Sequence, residues 1–227
     1  MSEDISREGV TFEKVAQLGR LLVPDLNHAI AKVGRFALID LARINELLGT
    51  NFRGVILDFD ECVAPHHGEA TEENEVALTE MVRQRIKLVI FSNMKASERY
   101  RALIAAILEQ TGYEIRVITS RYAKPDPRGF AECLEALELE ESEEAVMIGD
   151  NFVTDGGAIS AGIPFIRVSP IKTEGEPILK RAKRSFQTGS RAFYALISDL
   201  YDLLLKRKVL RDDDFDSNDR KGIMEVT

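Results

Sequence analysis

Two aspartates one residue apart, Asp58 and Asp60, close the apolar run Val55-Ile56-Leu57. A carboxylate at the end of a hydrophobic strand is costly to place unless something charged meets it there. Strand side chains repeat with period two, so aspartates at alternate positions of a strand end can face one site. Two chemistries use such a pair. Carboxylate oxygens suit a divalent cation, and a carboxylate can itself attack phosphorus. The plain alternative is a loop in which acidic residues merely follow a core strand, and the remainder of the chain decides between them.

Three further segments supply, in chain order, what phosphoryl transfer at Asp58 needs. Val89-Ile90-Phe91-Ser92-Asn93 is an apolar run ending in a hydroxyl and an amide, both able to hold a phosphate oxygen. Ala123-Lys124-Pro125-Asp126-Pro127 offers one lysine in a loop stiffened by two prolines. Val146-Met147-Ile148-Gly149-Asp150 closes on an aspartate, with Asp155 five residues on. Each piece alone has an ordinary reading: a solvated lysine, a Ser-Asn turn, a helix start. Their joint occurrence at successive strand ends is the signal.

The elements that must position these residues alternate. Strands are expected at Val55–Asp58, Ile86–Phe91, Glu114–Thr119, Ala145–Ile148 and Phe165–Val168. Helices are expected between them, capped by Thr71 and by Ser97, started at Asp126-Pro127, and placed around Asp155–Ala161. Thr154 is read as a helix cap, and Gly156-Gly157 as a tight turn or close packing point. Repeated strand–helix units imply an α/β fold, a parallel sheet covered on both faces with its site at the strand carboxyl ends. Two helical patterns, Thr11–Leu22 and Leu41–Leu48, precede the first strand. Two more, Ile178–Ser185 and Phe193–Leu205, follow the last, and the polar stretch from Arg211 has no apolar face. The expected organisation is a helical extension over 1–50, a core over 51–170, a basic helical segment over 171–210 and a disordered acidic tail over 211–227.

With 227 residues the chain is long enough for one main core plus appendages. A net charge of −8 disfavours a general nucleic-acid binder, whose affinity comes from neutralising phosphates. That average hides a basic stretch, because Ile171–Arg211 holds ten Lys or Arg against four acids. Cys62 and Cys133 are far apart and lack metal-ligand spacing, which points to a reducing cytoplasm. No window approaches the ~20 apolar residues of a membrane span, and the acidic start does not read as a signal or transit peptide. A soluble, cytoplasmic protein is expected. His66-His67, in a turn after Pro65, are read as entrance residues and not as metal ligands, and Cys62 is not read as a nucleophile.

The constellation Asp58-x-Asp60, Ser92, Lys124 and Gly149-Asp150-x-x-x-x-Asp155 resembles the haloacid dehalogenase superfamily of phosphatases over about residues 50–170. Within it, Asp58-Phe-Asp-Glu-Cys-Val-Ala-Pro65, Ser92-Asn93, Lys124-Pro125 and Gly149-Asp-Asn-Phe-Val-Thr-Asp155 look like the mitochondrial-type phosphatidylglycerophosphate phosphatases and their YqeG-like relatives. Cys62 stands where most superfamily members carry threonine; Phe59 and Glu61 depart from the lysine and asparagine of that subgroup. The resemblance implies a three-layer Rossmann-like fold with strand order 3-2-1-4-5. The intervals Asp60–Ser92 and Ser92–Lys124 leave no room for a cap domain, so an uncapped (class III) site open to bulky substrates is expected.

By the same resemblance Asp58 is the nucleophile and Asp60 the acid and base, with Ser92, Asn93 and Lys124 holding the phosphoryl group. Mg²⁺ would be held by Asp58, by Asp60 through its main-chain carbonyl, and by Asp150, with Asp155 behind them orienting Lys124. The implied activity is phosphomonoester hydrolysis, with phosphatidylglycerophosphate as substrate. Lys180, Arg181, Lys183 and Arg184 would approach an anionic membrane surface. A soluble phosphate ester, a phosphoprotein, or a catalytically weak scaffold role are the competing readings.

Overall fold

The computed structural model describes residues 12–66, 68–93, 98–171 and 178–215, the side chains of 12–14, 98–99 and 178–188 excepted. Its strands are β1 (Ala31–Val33), β2 (Gly54–Leu57), β3 (Lys87–Phe91), β4 (Arg116–Ile118), β5 (Ala145–Gly149) and β6 (Phe165–Val168). They form one sheet in the order β1-β6-β5-β2-β3-β4, every neighbouring pair parallel. The helices are α1 (Phe12–Arg20), α2 (Leu41–Leu48), α3 (Glu72–Arg83), α4 (Glu98–Thr111), α5 (Pro127–Leu137), α6 (Gly157–Ser160) and α7 (Ile178–Leu204). The five predicted strands are present in the predicted relative order.

Strand alternation builds the three layers. Val55 and Leu57 face one side with Leu88, Ile90, Val146 and Ile148, where Ile44 of α2, Leu78 of α3 and Ile107 of α4 cover them. Ile56, Val89 and Met147 face the other, beneath Phe130, Cys133 and Leu137 of α5 and Tyr194 of α7. Each large aliphatic side chain withdrawn from water contributes roughly 1.5–3 kcal/mol, so these two apolar layers hold the sheet. Local signals set the helix ends. Asp126 accepts from the Arg128 amide at 3.0 Å to start α5, and Gly49 ends α2 with φ of 67°. Thr71 stands at the N-cap of α3 without a side-chain cap bond. Ser97 lies outside the described residues.

Register is what brings the chemistry together. Leu57 lies opposite both Ile90 and Ile148, so Asp58 is level with Phe91 and Gly149. Ser92 and Asp150 then stand one residue beyond, at the same sheet edge. Only α3 with β3, and α4 with β4, intervene between Asp60, Ser92 and Lys124 among the described residues.

Three features differ from the sequence expectation. First, β1 lies in the segment read as purely helical, and pairs with β6 at the sheet edge. Its middle residue is Lys32, so no apolar run announces it; the ammonium is buried between Asp199 at 2.8 Å and Asp202 at 2.5 Å, both on α7. Second, α7 is one helix of 27 residues where two were expected. The weak helix formers between Gln187 and Ser190 look like a break, but the chain continues through them. Third, the acidic tail begins ordered. Leu210 exchanges backbone bonds with Ile30 and Lys32, which covers the free edge of β1, and Phe215 is buried. A lone aromatic among aspartates leaves no periodicity to read. Residues 216–227 lie outside the described residues.

Lys32→Ala should leave the buried Asp202 carboxylate with only the longer contacts to Arg211 at 4.0 Å and His28 at 3.7 Å. We expect a stability loss of about 3 kcal/mol in urea unfolding. A loss under about 1 kcal/mol would mean that solvent screens this cluster.

Candidate active site

Lys124 is the centre of the site. Its side chain is buried, and Nζ donates to Asp58 Oδ1 and to Asp155 Oδ1, each at 2.7 Å. Burial alone would lower the lysine pKa, but Asp155 and Asp58 outweigh it and hold the ammonium firmly charged. The loop carrying it is fixed from three directions. Asn93 Oδ1 accepts from the Lys124 amide at 2.7 Å, while Asn93 Nδ2 donates to the Lys124 carbonyl at 3.1 Å. Asp126 caps α5 immediately after it. Behind it, a Cβ at Gly157 would sit 2.5 Å from the Pro125 carbonyl oxygen, so only glycine lets α6 approach. Asn93, expected to hold a phosphate oxygen, therefore has its side-chain oxygen and nitrogen both engaged with this loop.

Asp155 is wholly buried and also accepts from the Asn151 amide at 3.1 Å. Gly149 makes room for it, because a Cβ there would lie 2.4 Å from Asp155 Oδ2. That is a physical reason for glycine before Asp150. The residue before α6 is Gly156; Thr154 lies in the preceding turn and does not cap the helix.

Oxygens of Asp58, Asp150 and Asp155 lie within 4.8 Å of one another. The third carboxylate is that of Asp155; Asp60, expected to reach a metal through its main-chain carbonyl, adds no carboxylate to the group. β2 stops at Leu57 and the chain turns at Glu61 with φ of 64°, so strand alternation no longer directs Asp60. The Asp60 carboxylate instead faces His66 Nδ1 at 4.0 Å. Burial, then the negative charge of Asp155, pushes Asp58 up to about 7 despite Lys124. Burial also drives Asp150 well above the carboxylate range, against the pull of Arg191. Among the described residues the cluster is short of positive charge. Its oxygen-only donor set fits a hard divalent cation, which would return both carboxylates to their ionised form.

Sequence reasoning missed Arg191. This residue of α7 donates from Nη1 to Asp150 Oδ2 at 3.1 Å and to Glu61 Oε2. Burial works against its charge, but Asp150 and Glu61 raise its pKa further. The available signal was Glu61, an acid in a position where the resembled subgroup has asparagine. A new carboxylate in a crowded acidic loop needs a cation, and the basic stretch supplies it. Phe59, the other departure, is a core residue packed edge-on to Tyr100 of α4, ring centroids 4.6 Å apart. Cys62 is buried with Sγ 3.9 Å from the Ile148 carbonyl oxygen; burial, with three nearby aspartates, pushes its thiol far up, so it is no nucleophile. Ser92 is buried at the end of β3, and His67 lies outside the described residues.

The described part of the chain resembles solved structures only in part. A protein from Listeria monocytogenes serotype 4b shares 24% identity, covering 56% of this chain and 85% of its own, with a TM-score of 0.40. A haloacid dehalogenase-superfamily hydrolase from Geobacter sulfurreducens shares 18%, covering 56% and 93%, with a TM-score of 0.37. No curated protein sequence matches significantly. The assignment rests on a family model, described as mitochondrial PGP phosphatase, which matches residues 11–159, well over half of the chain. The chain thus belongs to the mitochondrial PGP phosphatase family and is a phosphatase.

Proposed function

We propose that the protein is a Mg²⁺-dependent phosphomonoester hydrolase that works through an aspartyl phosphate and converts phosphatidylglycerophosphate to phosphatidylglycerol. The observation that carries the chemistry is the buried ammonium of Lys124 spanning Asp58 and Asp155. It places a fixed positive charge beside a carboxylate at the open end of the sheet, where an anionic phosphoryl group needs compensation. Family membership supports the substrate class.

In this reading an Asp58 oxygen attacks phosphorus, forming the Asp58–phosphate bond as the bond to the leaving oxygen breaks. Asp60 protonates that oxygen, giving the alcohol, and then takes a proton from the water that attacks the phosphoenzyme. Inorganic phosphate leaves and Asp58 is restored. Ser92 and Lys124 hold the phosphoryl oxygens, and Asn93 keeps Lys124 in place. Asp155 aims Lys124. Asp58, the Asp60 carbonyl and Asp150 would hold Mg²⁺, whose charge offsets the repulsion between anionic nucleophile and anionic substrate. No cap lies between the site and solvent in the described residues, which suits a headgroup presented from a bilayer. Lys180, Arg181, Lys183 and Arg184, proposed to meet that bilayer, have side chains outside the described set. The compartment consistent with this reading is the cytoplasm, at a membrane surface.

Asp58→Asn should abolish release of phosphate from both an aryl phosphate and phosphatidylglycerophosphate vesicles, with the circular dichroism spectrum unchanged. Wild-type turnover no higher than the variant's on every ester tested would favour a scaffold role instead. For Lys124→Ala, kcat should fall roughly 10²–10³-fold and stay low at saturating substrate. A change confined to KM would restrict Lys124 to binding.

The cation should compete with protons. Asp58 is held near pKa 7, and a bound cation needs the ionised form, so binding below that pH expels a proton. Mg²⁺ affinity, measured calorimetrically, should therefore weaken as pH falls through about 7. Affinity flat between pH ~5.5 and ~8 would contradict the assignment of Asp58 as a ligand.

A further inference from the structure

Helix α7 is amphipathic in the wrong sense for a helix covering a core. Its inward face is polar. Asp199 and Asp202 hold Lys32 of β1, Arg191 holds Asp150, and Ser198 is wholly buried. Two tyrosines bind it to the segment around α1 through their hydroxyls: Tyr194 to the Leu18 carbonyl at 2.9 Å and Tyr201 to the Leu22 carbonyl at 2.6 Å. Its outward face is apolar. Phe193, Leu196, Leu200, Leu203 and Leu204 recur at three- and four-residue spacing, and Leu196 and Leu203 are 68% and 75% exposed. Leu22 and Val23, beside Tyr201, extend the patch and are about half exposed. Scattered exposed leucines need no explanation, but a continuous stripe on one helix marks a surface that meets another apolar phase.

We infer that this outer face of α7 docks on an anionic phospholipid bilayer, its leucines entering the acyl boundary with the helix lying in the interface plane. Charge selects the bilayer over a second copy of the chain. The thirteen residues from Ile178 to Ser190 include four Lys or Arg and no acid, and the exposed Lys206 and Lys208 follow the stripe. An anionic surface complements basic residues at both ends, whereas a helix pairing in either direction would bring like charges together. Among the described residues no helix is long and apolar enough to cross a membrane, so the contact is peripheral. Arg191 ties the face to the site. At 1.5 Å per residue, Leu196 lies about 8 Å and Leu203 about 18 Å along the helix from the residue that holds Asp150.

The inference deepens the proposed lipid substrate and rests on it for its purpose, yet docking is measurable without substrate. The full chain would be floated with vesicles of phosphatidylcholine containing phosphatidylglycerol, beside the double variant Leu196→Glu/Leu203→Glu. Wild type should float, and the variant's partitioning should drop about a hundredfold, roughly tenfold per leucine lost from the apolar phase. Hydrolysis of a soluble aryl phosphate should be the same for both, which shows that the variant is folded. Equal partitioning of the two proteins, or wild type that stays with the soluble fraction, would overturn the docking face. So would a wild-type dimer that the variant splits without any vesicle binding, since the occupant would then be a second copy. Vesicle binding as expected, with no release of phosphate from phosphatidylglycerophosphate, would leave the docking face standing and remove the substrate assignment alone.

Discussion

One buried ammonium organises this molecule. Lys124 spans two carboxylates from different segments, and its charge lowers the cost of burying Asp58 beside Asp155. The arrangement stitches three segments together: the end of β2, the loop entering α5 and the turn entering α6. Much of the surrounding sequence serves that contact. Gly149 and Gly157 are small because a methyl would collide with Asp155 and with Pro125, and Asn93 clamps the lysine backbone through both ends of its amide. A fixed positive charge next to a carboxylate at a sheet's open edge costs no rearrangement when a phosphoryl group arrives. That is how preorganised electrostatics accelerates a displacement.

The same packing leaves too much negative charge. Asp150 and Glu61 are added to Asp58 and Asp155, and Arg191 answers them from outside the sheet. The consequence reaches across the fold. Arg191 makes α7 part of the site, and Lys32 anchors the next turns of that helix to β1. The helix is held by ion pairs on its inner face and so is free to present leucines outward. The phosphatase core and this leucine face are thus mechanically one piece, and the residual negative charge is what a divalent cation would neutralise.

Much of this was legible in the residues. Strands β2, β3 and β5 announce themselves because buried parallel strands read as apolar runs, and Asp58, Ser92 and Asp150 each follow one. What escaped has a common cause: polar groups buried in pairs. β1 hid behind Lys32, whose partners lie some 170 residues away. Arg191 was one basic residue among several in its stretch until Glu61 was seen beside it. The continuity of α7 was hidden by weak helix formers that tertiary contacts overrule.

The central claim is that Asp58, steadied by Lys124, becomes phosphorylated during turnover. Its most direct test is to quench the working enzyme in acid and reduce it with borohydride, which converts a phosphorylated aspartate to homoserine, and then sequence the peptides by mass spectrometry. The account predicts homoserine at position 58 and at no other aspartate, appearing only when substrate is present. Steady hydrolysis with Asp58 unmodified, or with the label at Asp60, Asp150 or Asp155, would contradict it.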